Sequence, residues 1–105
     1  MPYLPEVYKD FQKQFPKVAE AYDVFADRCN KAGPLDKKCQ RLIKLGIAIG
    51  ITSEGAVRSH ARRALEEGIS AKELRHAVLI ATTTAGFPTM IAAMKWVDEV
   101  IKKMK

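Results

Sequence analysis

The stretch RLIKLGIAIGITSEGAVRSHARRALEEGIS, residues 41–70, decides how this chain folds. Residues 42–51 contain a single charged side chain, and a helix with so little polar surface must be covered on nearly every side. Thr52 and Ser53 interrupt this apolar run, and their hydroxyls can cap a second helix that follows directly. The second helix places His60 among small apolar residues. We therefore expect two packed helices with His60 at their junction.

Four further helices are expected around this pair, because apolar residues recur at helical spacing before and after it. Ser70 and Glu73 are spaced as a capping box, and Gly68 is the expected C-cap of the helix before it. The helices are predicted over residues 6–15, from Pro16 to about Lys31, from near Asp36 to Ile51, over residues 53–67, from Ser70 to about Ala85 and from Pro88 onward. The sequence thus predicts an all-α fold of about six helices, in one domain over residues 1–105.

Composition places the chain among ordinary globular proteins. Of its 105 residues, 48% are apolar and 29% charged, which is sufficient for a packed core. No apolar run approaches the ~18–20 residues that a membrane span requires, and no secretory signal is apparent at the N-terminus. We expect a cytoplasmic protein that does not enter a membrane.

The net charge of +6 raises the question of an anionic partner such as nucleic acid. The basic residues are, however, dispersed and interleaved with acidic ones, and no Gly-rich loop or recognition-helix motif accompanies them. A solvated surface without nucleic-acid binding is the better interpretation. The outer, solvated face of helix four is predicted to carry Arg58, Arg62, Arg63, Glu66 and Glu67.

The two cysteines do not form a recognisable motif. Nine residues separate Cys29 from Cys39, which fits neither a CxxC redox pair nor a zinc site. Both lie at apolar positions of predicted helices, and we expect them to be buried and reduced. No second histidine or carboxylate stands at ligand spacing from His60, so no metal site and no cofactor are expected.

Helices three and six have more apolar surface than a small monomer can cover. Gly46 and Gly50 lie one turn apart in helix three, where they would let a neighbouring backbone approach closely. Burying one more large apolar side chain is worth about 1.5–3 kcal/mol. These features predict a homo-oligomer with a hydrophobic interface.

Residues 41–70, together with ELRHAVLIA at 73–81 and GFPTM at 86–90, resemble the carboxymuconolactone decarboxylase family, which includes the alkylhydroperoxidase D-like proteins. The resemblance covers about residues 35–100, and its most specific part is VRSHARRALEEGIS at 57–70. Membership would imply an alkylhydroperoxidase D-like helical bundle assembled as a trimer or hexamer.

The redox branch of this family carries a CxxC pair, a histidine and a glutamate. In that frame the cysteines fall on Ser53 and Ala56, the glutamate falls on Arg41, and only the histidine is retained, as His60. Serine and alanine form no disulfide and reduce no peroxide. The resemblance therefore implies a degenerate CxxC motif and no thiol peroxidase activity.

The decarboxylase branch works without the cysteine pair on a small acidic lactone. His60 would then be the catalytic acid or base, since histidine titrates near neutrality, and Arg41 would bind a substrate carboxylate. The spacing predicts that these two side chains face each other. Glu54 is expected to pair with Arg58, one turn along the same helix.

A non-catalytic interpretation stands beside the enzymatic one. His60 can be a core residue with a satisfied hydrogen bond and Arg41 a surface or interface residue, in an oligomer that binds a small molecule or has a structural role. An imidazole open to a cavity beside Arg41 or another cation would favour the enzyme. His76 is assigned no role.

Overall fold

The computed structural model describes residues 5–104, and these form helices without any strand. The six α-helices are α1 (Glu6–Gln14), α2 (Pro16–Lys31), α3 (Lys37–Gly50), α4 (Glu54–Glu66), α5 (Ala71–Ile80) and α6 (Phe87–Met104), with a 3₁₀ turn at Ala81–Thr83. The all-α prediction is confirmed. Contacts divide the chain into two compact units, residues 1–34 and 35–105. The single domain expected over residues 1–105 stays a prediction.

The first unit contains α1 and α2. Pro16 begins α2, where its missing N–H costs no hydrogen bond. The Phe15 N–H closes α1 by donating to the Phe11 carbonyl over 2.9 Å, and the two rings lie 6.0 Å apart. None of the described residues of α1 and α2 is buried.

The expectation that both cysteines are buried is wrong, because both are exposed. Cys29 lies on α2, which has no buried residue. Cys39 lies in the first turn of α3, where its backbone N–H donates to the Asp36 carboxylate over 2.8 Å. Residues 35–39 are all exposed, so this apolar position of the sequence pattern is not a core position.

The second unit has the core of the protein. Helix α4 packs against α3 and α6, and α5 packs against α6 and α3. The largest fully buried side chains are Leu45, Ile49, Val57, Leu74, Val78, Val97 and Val100. Each such side chain contributes about 1.5–3 kcal/mol by leaving water. This packing holds α3 and α4 side by side and so positions the residues between them.

The α3–α4 connection is a Schellman turn. The Ser53 N–H donates to the Ala48 carbonyl over 3.0 Å, and the Thr52 N–H donates to Ile49 over 2.9 Å. Thr52 adopts a positive φ of 55°. Ser53 occupies the N-cap of α4, but its side chain makes no capping hydrogen bond. The break is therefore where the sequence predicts it, whereas its hydroxyl cap is absent.

A second Schellman turn ends α4 at the expected C-cap glycine. Gly68 has a φ of 92°, and its N–H donates to the Leu65 carbonyl. The following Ile69 is buried and donates to the Ala64 carbonyl over 3.0 Å. Ser70 and Glu73 then form the predicted capping box of α5. This turn leads directly from α4 into α5, which packs against the core.

Helix α3 is not covered on every side within the described chain. Ile43, Ile47 and Ile51 are 46%, 59% and 69% exposed. A Cβ built on Gly46 or Gly50 would meet no atom within 4 Å. The close backbone approach expected at these glycines is therefore not made inside residues 5–104. In that same range, no helix has the length and apolarity that a bilayer span requires.

Candidate functional site

The structure brings the two predicted site residues together. Arg41, one turn into α3, donates from Nη1 to Nδ1 of His60 in the middle of α4, over 2.8 Å. A guanidinium has no acceptor atom, so Nδ1 must carry the lone pair in this contact. The proton of the neutral imidazole is consequently on Nε2. The predicted proximity of Arg41 and His60 is confirmed, while their roles stay predictions.

Glu67 completes the group, although the sequence pattern predicts it on the outer, solvated face of α4. Arg41 donates from Nε to Oε1 over 3.1 Å and from Nη2 to Oε2 over 2.8 Å. Both side chains are largely buried, at 13% and 18% exposure. Glu67 follows His60 by seven residues, about two helical turns, so it shares the side of α4 that faces Arg41. This seven-residue spacing is the feature of the sequence from which the position of Glu67 could have been predicted.

Burial and three nearby cations set the charge state of His60. Burial, together with the positive charges of Arg41, Arg63 and Lys44, lowers the pKa of His60 to about 4, against an opposing effect of Glu67. The hydrogen bonds from Arg41 lower the pKa of Glu67. At neutral pH the site therefore contains a neutral imidazole and an ionised carboxylate.

The sequence of this chain matches the model of a known protein family. The model of the carboxymuconolactone decarboxylase family matches residues 16–99, which is most of the chain. This chain is a member of the carboxymuconolactone decarboxylase family.

Two relatives are similar to this chain in sequence. A nitrosuccinic acid decarboxylase from Metarhizium robertsii is 36% identical over 70 residues, which are 67% of this chain and 49% of that protein. The chain thus spans about half the length of this relative. An uncharacterized protein from Methanocaldococcus jannaschii is 26% identical over 95 residues, 90% of this chain and 89% of its own.

A solved structure shares the fold. The apo form of a carboxymuconolactone decarboxylase family protein from Legionella pneumophila superposes with a TM-score of 0.77 at 22% identity. The match covers 93% of this chain and 88% of the Legionella chain. At that identity the likeness establishes the helical fold alone.

In this family member, no thiol lies at the positions that the resemblance assigns to a cysteine pair. Ser53 is the N-cap of α4 and Ala56 lies in its first turn. The exposed Cys39 lies at the opposite end of α3 from this turn, and a hydrogen bond from its thiol to Asp36 raises the pKa of that thiol. Less of Cys39 is therefore in the nucleophilic thiolate form.

Arg62 differs from its expected place on the solvated face. The residue is only 4% exposed, and its Nε is a buried donor without a hydrogen-bond partner in residues 5–104. The carboxylate of Glu66, one turn on, lies 4.0 Å from that nitrogen. Arg58, by contrast, makes the predicted pair with Glu54 at 3.0 Å and also binds Glu99 of α6 at 2.6 Å.

His76 lines a groove that the sequence pattern does not predict. A groove of about 410 Å³ lies between α3 and α5. Its lining is mostly apolar, with Glu73 and His76 as the polar members: Leu42, Ile43, Gly46, Glu73, His76, Ala77 and Ile80. No group of three or more histidine, cysteine or acidic side chains suited to a metal occurs in residues 5–104.

Proposed function

We propose that this carboxymuconolactone decarboxylase family member is a lyase that removes CO₂ from a small carboxylic acid at His60. The observation that carries the proposal is the hydrogen bond from Arg41 Nη1 to His60 Nδ1, within the field of Arg63 and Lys44. This arrangement combines a neutral N–H donor with positive charge. A small anion is the substrate class that such charge favours.

Decarboxylation makes a specific demand on the protein. Cleavage of the C–C bond releases CO₂ and leaves the electron pair on carbon, delocalised onto an oxygen of a neighbouring carbonyl, lactone or nitro group. A proton from water then completes the product. A hydrogen-bond donor aimed at that oxygen lowers the barrier, because the charge develops there in the transition state. The Nε2–H of His60 is the proposed donor.

Arg41 is proposed to bind a substrate carboxylate together with the neighbouring cations. Three of its five N–H groups already serve His60 and Glu67. Arg41 therefore contributes its charge and its two remaining N–H groups, and Arg63 and Lys44 add positive charge. The relative named as a nitrosuccinic acid decarboxylase supports a small carboxylic acid as substrate.

The test is a CO₂-release assay on nitrosuccinate and on small carboxylated lactones. We expect turnover by the wild-type protein and a loss of at least about 100-fold in kcat/KM for His60→Gln. Arg63→Gln should raise KM, since it weakens anion binding. His76→Gln is the matched control, because this exposed histidine lies on α5. Equal turnover by wild type and His60→Gln would remove His60 from the mechanism.

A non-catalytic binding or structural protein is the second candidate, and one observation favours a role without catalysis. The Arg41–Glu67 ion pair is bidentate and largely buried, so it is satisfied without any ligand. A carboxylic acid that raises the melting temperature of the wild type, but not of Arg63→Gln, without releasing CO₂ would establish this function instead.

Self-association is proposed for either function. The exposed isoleucines of α3 form an apolar stripe that a second copy of the chain can cover. We further propose a cytoplasmic setting, in which the exposed thiols of Cys29 and Cys39 stay reduced.

Thiol peroxidase activity is expected to be absent. Wild-type protein supplied with hydrogen peroxide and a dithiol should consume peroxide no faster than a variant with both cysteines replaced by serine. Faster consumption that disappears on replacing Cys39 would contradict this expectation.

A further inference from the structure

Glu67 and His60 lie on the same side of α4 and both engage Arg41. The Glu67 carboxylate accepts hydrogen bonds from Nε and Nη2 of the Arg41 guanidinium, at 3.1 and 2.8 Å. Nδ1 of the His60 imidazole accepts one from Nη1 at 2.8 Å. A guanidinium is planar and rigid, so two hydrogen bonds on one edge fix the direction of its third nitrogen. The position of Nη1 at His60 thus depends on Glu67.

The direction of Nη1 determines which imidazole nitrogen carries the proton. With an arginine N–H aimed at Nδ1, a proton on Nδ1 would set two donors against each other. The alternative tautomer is therefore excluded for as long as Arg41 is held in place. Without that restraint, a neutral imidazole exchanges between its two tautomers.

We propose that Glu67 is a positioning residue that sets the tautomer of His60, by clamping Arg41 so that the imidazole proton is kept on Nε2. Glu67 does not contact the proposed substrate in this role. Its catalytic consequence rests on the proposed function, since a fixed Nε2–H is useful only if it donates to a reacting oxygen. The tautomer itself is a property of the ligand-free chain and is measured without a substrate.

The experiment is long-range ¹H–¹⁵N NMR on protein with ¹⁵N-labelled histidine, at a pH above 7. The two ring nitrogens of a neutral imidazole give separate signals, which report whether each carries a proton. We expect wild-type His60 to show a protonated Nε2 and an unprotonated Nδ1. In Glu67→Gln the two His60 signals should move toward each other, as a mixture of tautomers requires.

The variants separate positioning from folding. Glu67→Asp retains the carboxylate on a shorter side chain, and it should restore part of the wild-type signal separation. Glu66→Gln is the matched control, because Glu66 is adjacent in sequence and its carboxylate lies 4.0 Å from Arg62, whereas Arg41 donates to Glu67. Its His60 signals should match the wild type. His76 supplies an internal reference that every variant retains.

The outcomes distinguish this inference from the proposed function. A protonated Nδ1 in the wild type, or unchanged His60 signals in folded Glu67→Gln and Glu67→Asp, would overturn the positioning role even if CO₂ is released. The expected signals in a protein that turns over no acid would uphold the role and remove only its catalytic use. If the protein is active, Glu67→Gln should lower kcat about tenfold, with less change in KM.

Discussion

The surroundings of His60 disfavour its charged form, so the stability of the protein should depend on pH. Its pKa is about 4 in the folded chain and 6.5 for the free side chain. The unfolded chain therefore binds more protons between those values, and the free energy of unfolding must rise as pH increases from 4 to 6.5. The imidazole is not fully buried, so water weakens the effect, and we expect stability to rise by about 1 kcal/mol between pH 5 and pH 7.

Urea denaturation at pH 5 and pH 7 measures this effect. The carboxylates with lowered pKa values gain their stabilisation above their ordinary pKa, which is 3.8 for Asp and 4.5 for Glu, and lose it below that value, so they add little between pH 5 and pH 7: Asp36, Glu67, Glu73 and Glu99. His60→Gln should remove the difference that His60 causes, and His76→Gln should retain it. A wild-type protein equally stable at both pH values would contradict the inferred environment of His60.

Thr52 occupies a backbone position that favours glycine. Its φ of 55° is unfavourable for a β-branched residue, at a cost of about 1 kcal/mol or more. The equivalent position in the turn after α4 is Gly68, with a φ of 92°. Thr52→Gly should therefore raise the free energy of unfolding by about 0.5–1 kcal/mol, measured by urea denaturation. Thr52→Val retains the strain and is the control; a gain from valine would show that the hydroxyl, not the backbone, is unfavourable.

At the level of the helices, the capping box of α5 is the clearest local determinant. The Glu73 N–H donates to Ser70 Oγ over 3.1 Å, and the Ser70 N–H donates to Glu73 Oε1 over 3.0 Å. Glu73 also pairs with Lys38 of α3, which links the start of α5 to its neighbour. Ser70→Ala should lower the free energy of unfolding by about 1 kcal/mol in urea denaturation. Lys72→Ala, an exposed change in the same turn, should leave stability nearly unchanged.

Features with a local cause were predicted from the sequence. The cap of α5, the C-cap at Gly68 and the proline at the start of α2 each depend on a few neighbouring residues. The proximity of Arg41 and His60 also followed, because each lies at a fixed position on one of two adjacent helices. The contact between Arg41 and His60 required only that α3 pack against α4.

Features that depend on packing between elements were missed. Whether Cys39 or Arg62 is buried depends on what covers that side of its helix, and helical spacing does not contain that information. The charged residues around Glu67 predict that it lies in solvent, because a carboxylate on a charged helix face usually does. Its burial depends on Arg41 reaching across from α3. A search for acidic residues that lie two helical turns from His60 and could pair with Arg41 would have identified Glu67.

On the scale of the whole molecule, the exposed apolar surface is the feature that most favours self-association. Large apolar side chains of α3, α5 and α6 lie open in the isolated chain: Ile43, Ile47, Ile51, Leu79, Ile80, Phe87 and Ile91. Covering them with a second copy would gain roughly 25 cal/mol for each Å² of apolar surface removed from water. A trimer or hexamer, as the family resemblance implies, would supply that cover.

Light scattering coupled to size-exclusion chromatography tests this assembly. The wild-type protein should elute at a multiple of its 11.7 kDa chain mass, with a melting temperature that rises with protein concentration.

Ile47→Glu places a charge in the middle of the α3 stripe and should shift the protein toward the monomer. Ile47 is 59% exposed in the isolated chain, so the charge should change monomer stability by less than about 0.5 kcal/mol. Ile47→Val retains an apolar surface and should assemble as the wild type does. A wild-type protein that is monomeric at tens of micromolar would leave the stripe uncovered and contradict self-association, whereas an assembly unaffected by Ile47→Glu would place the interface on another surface.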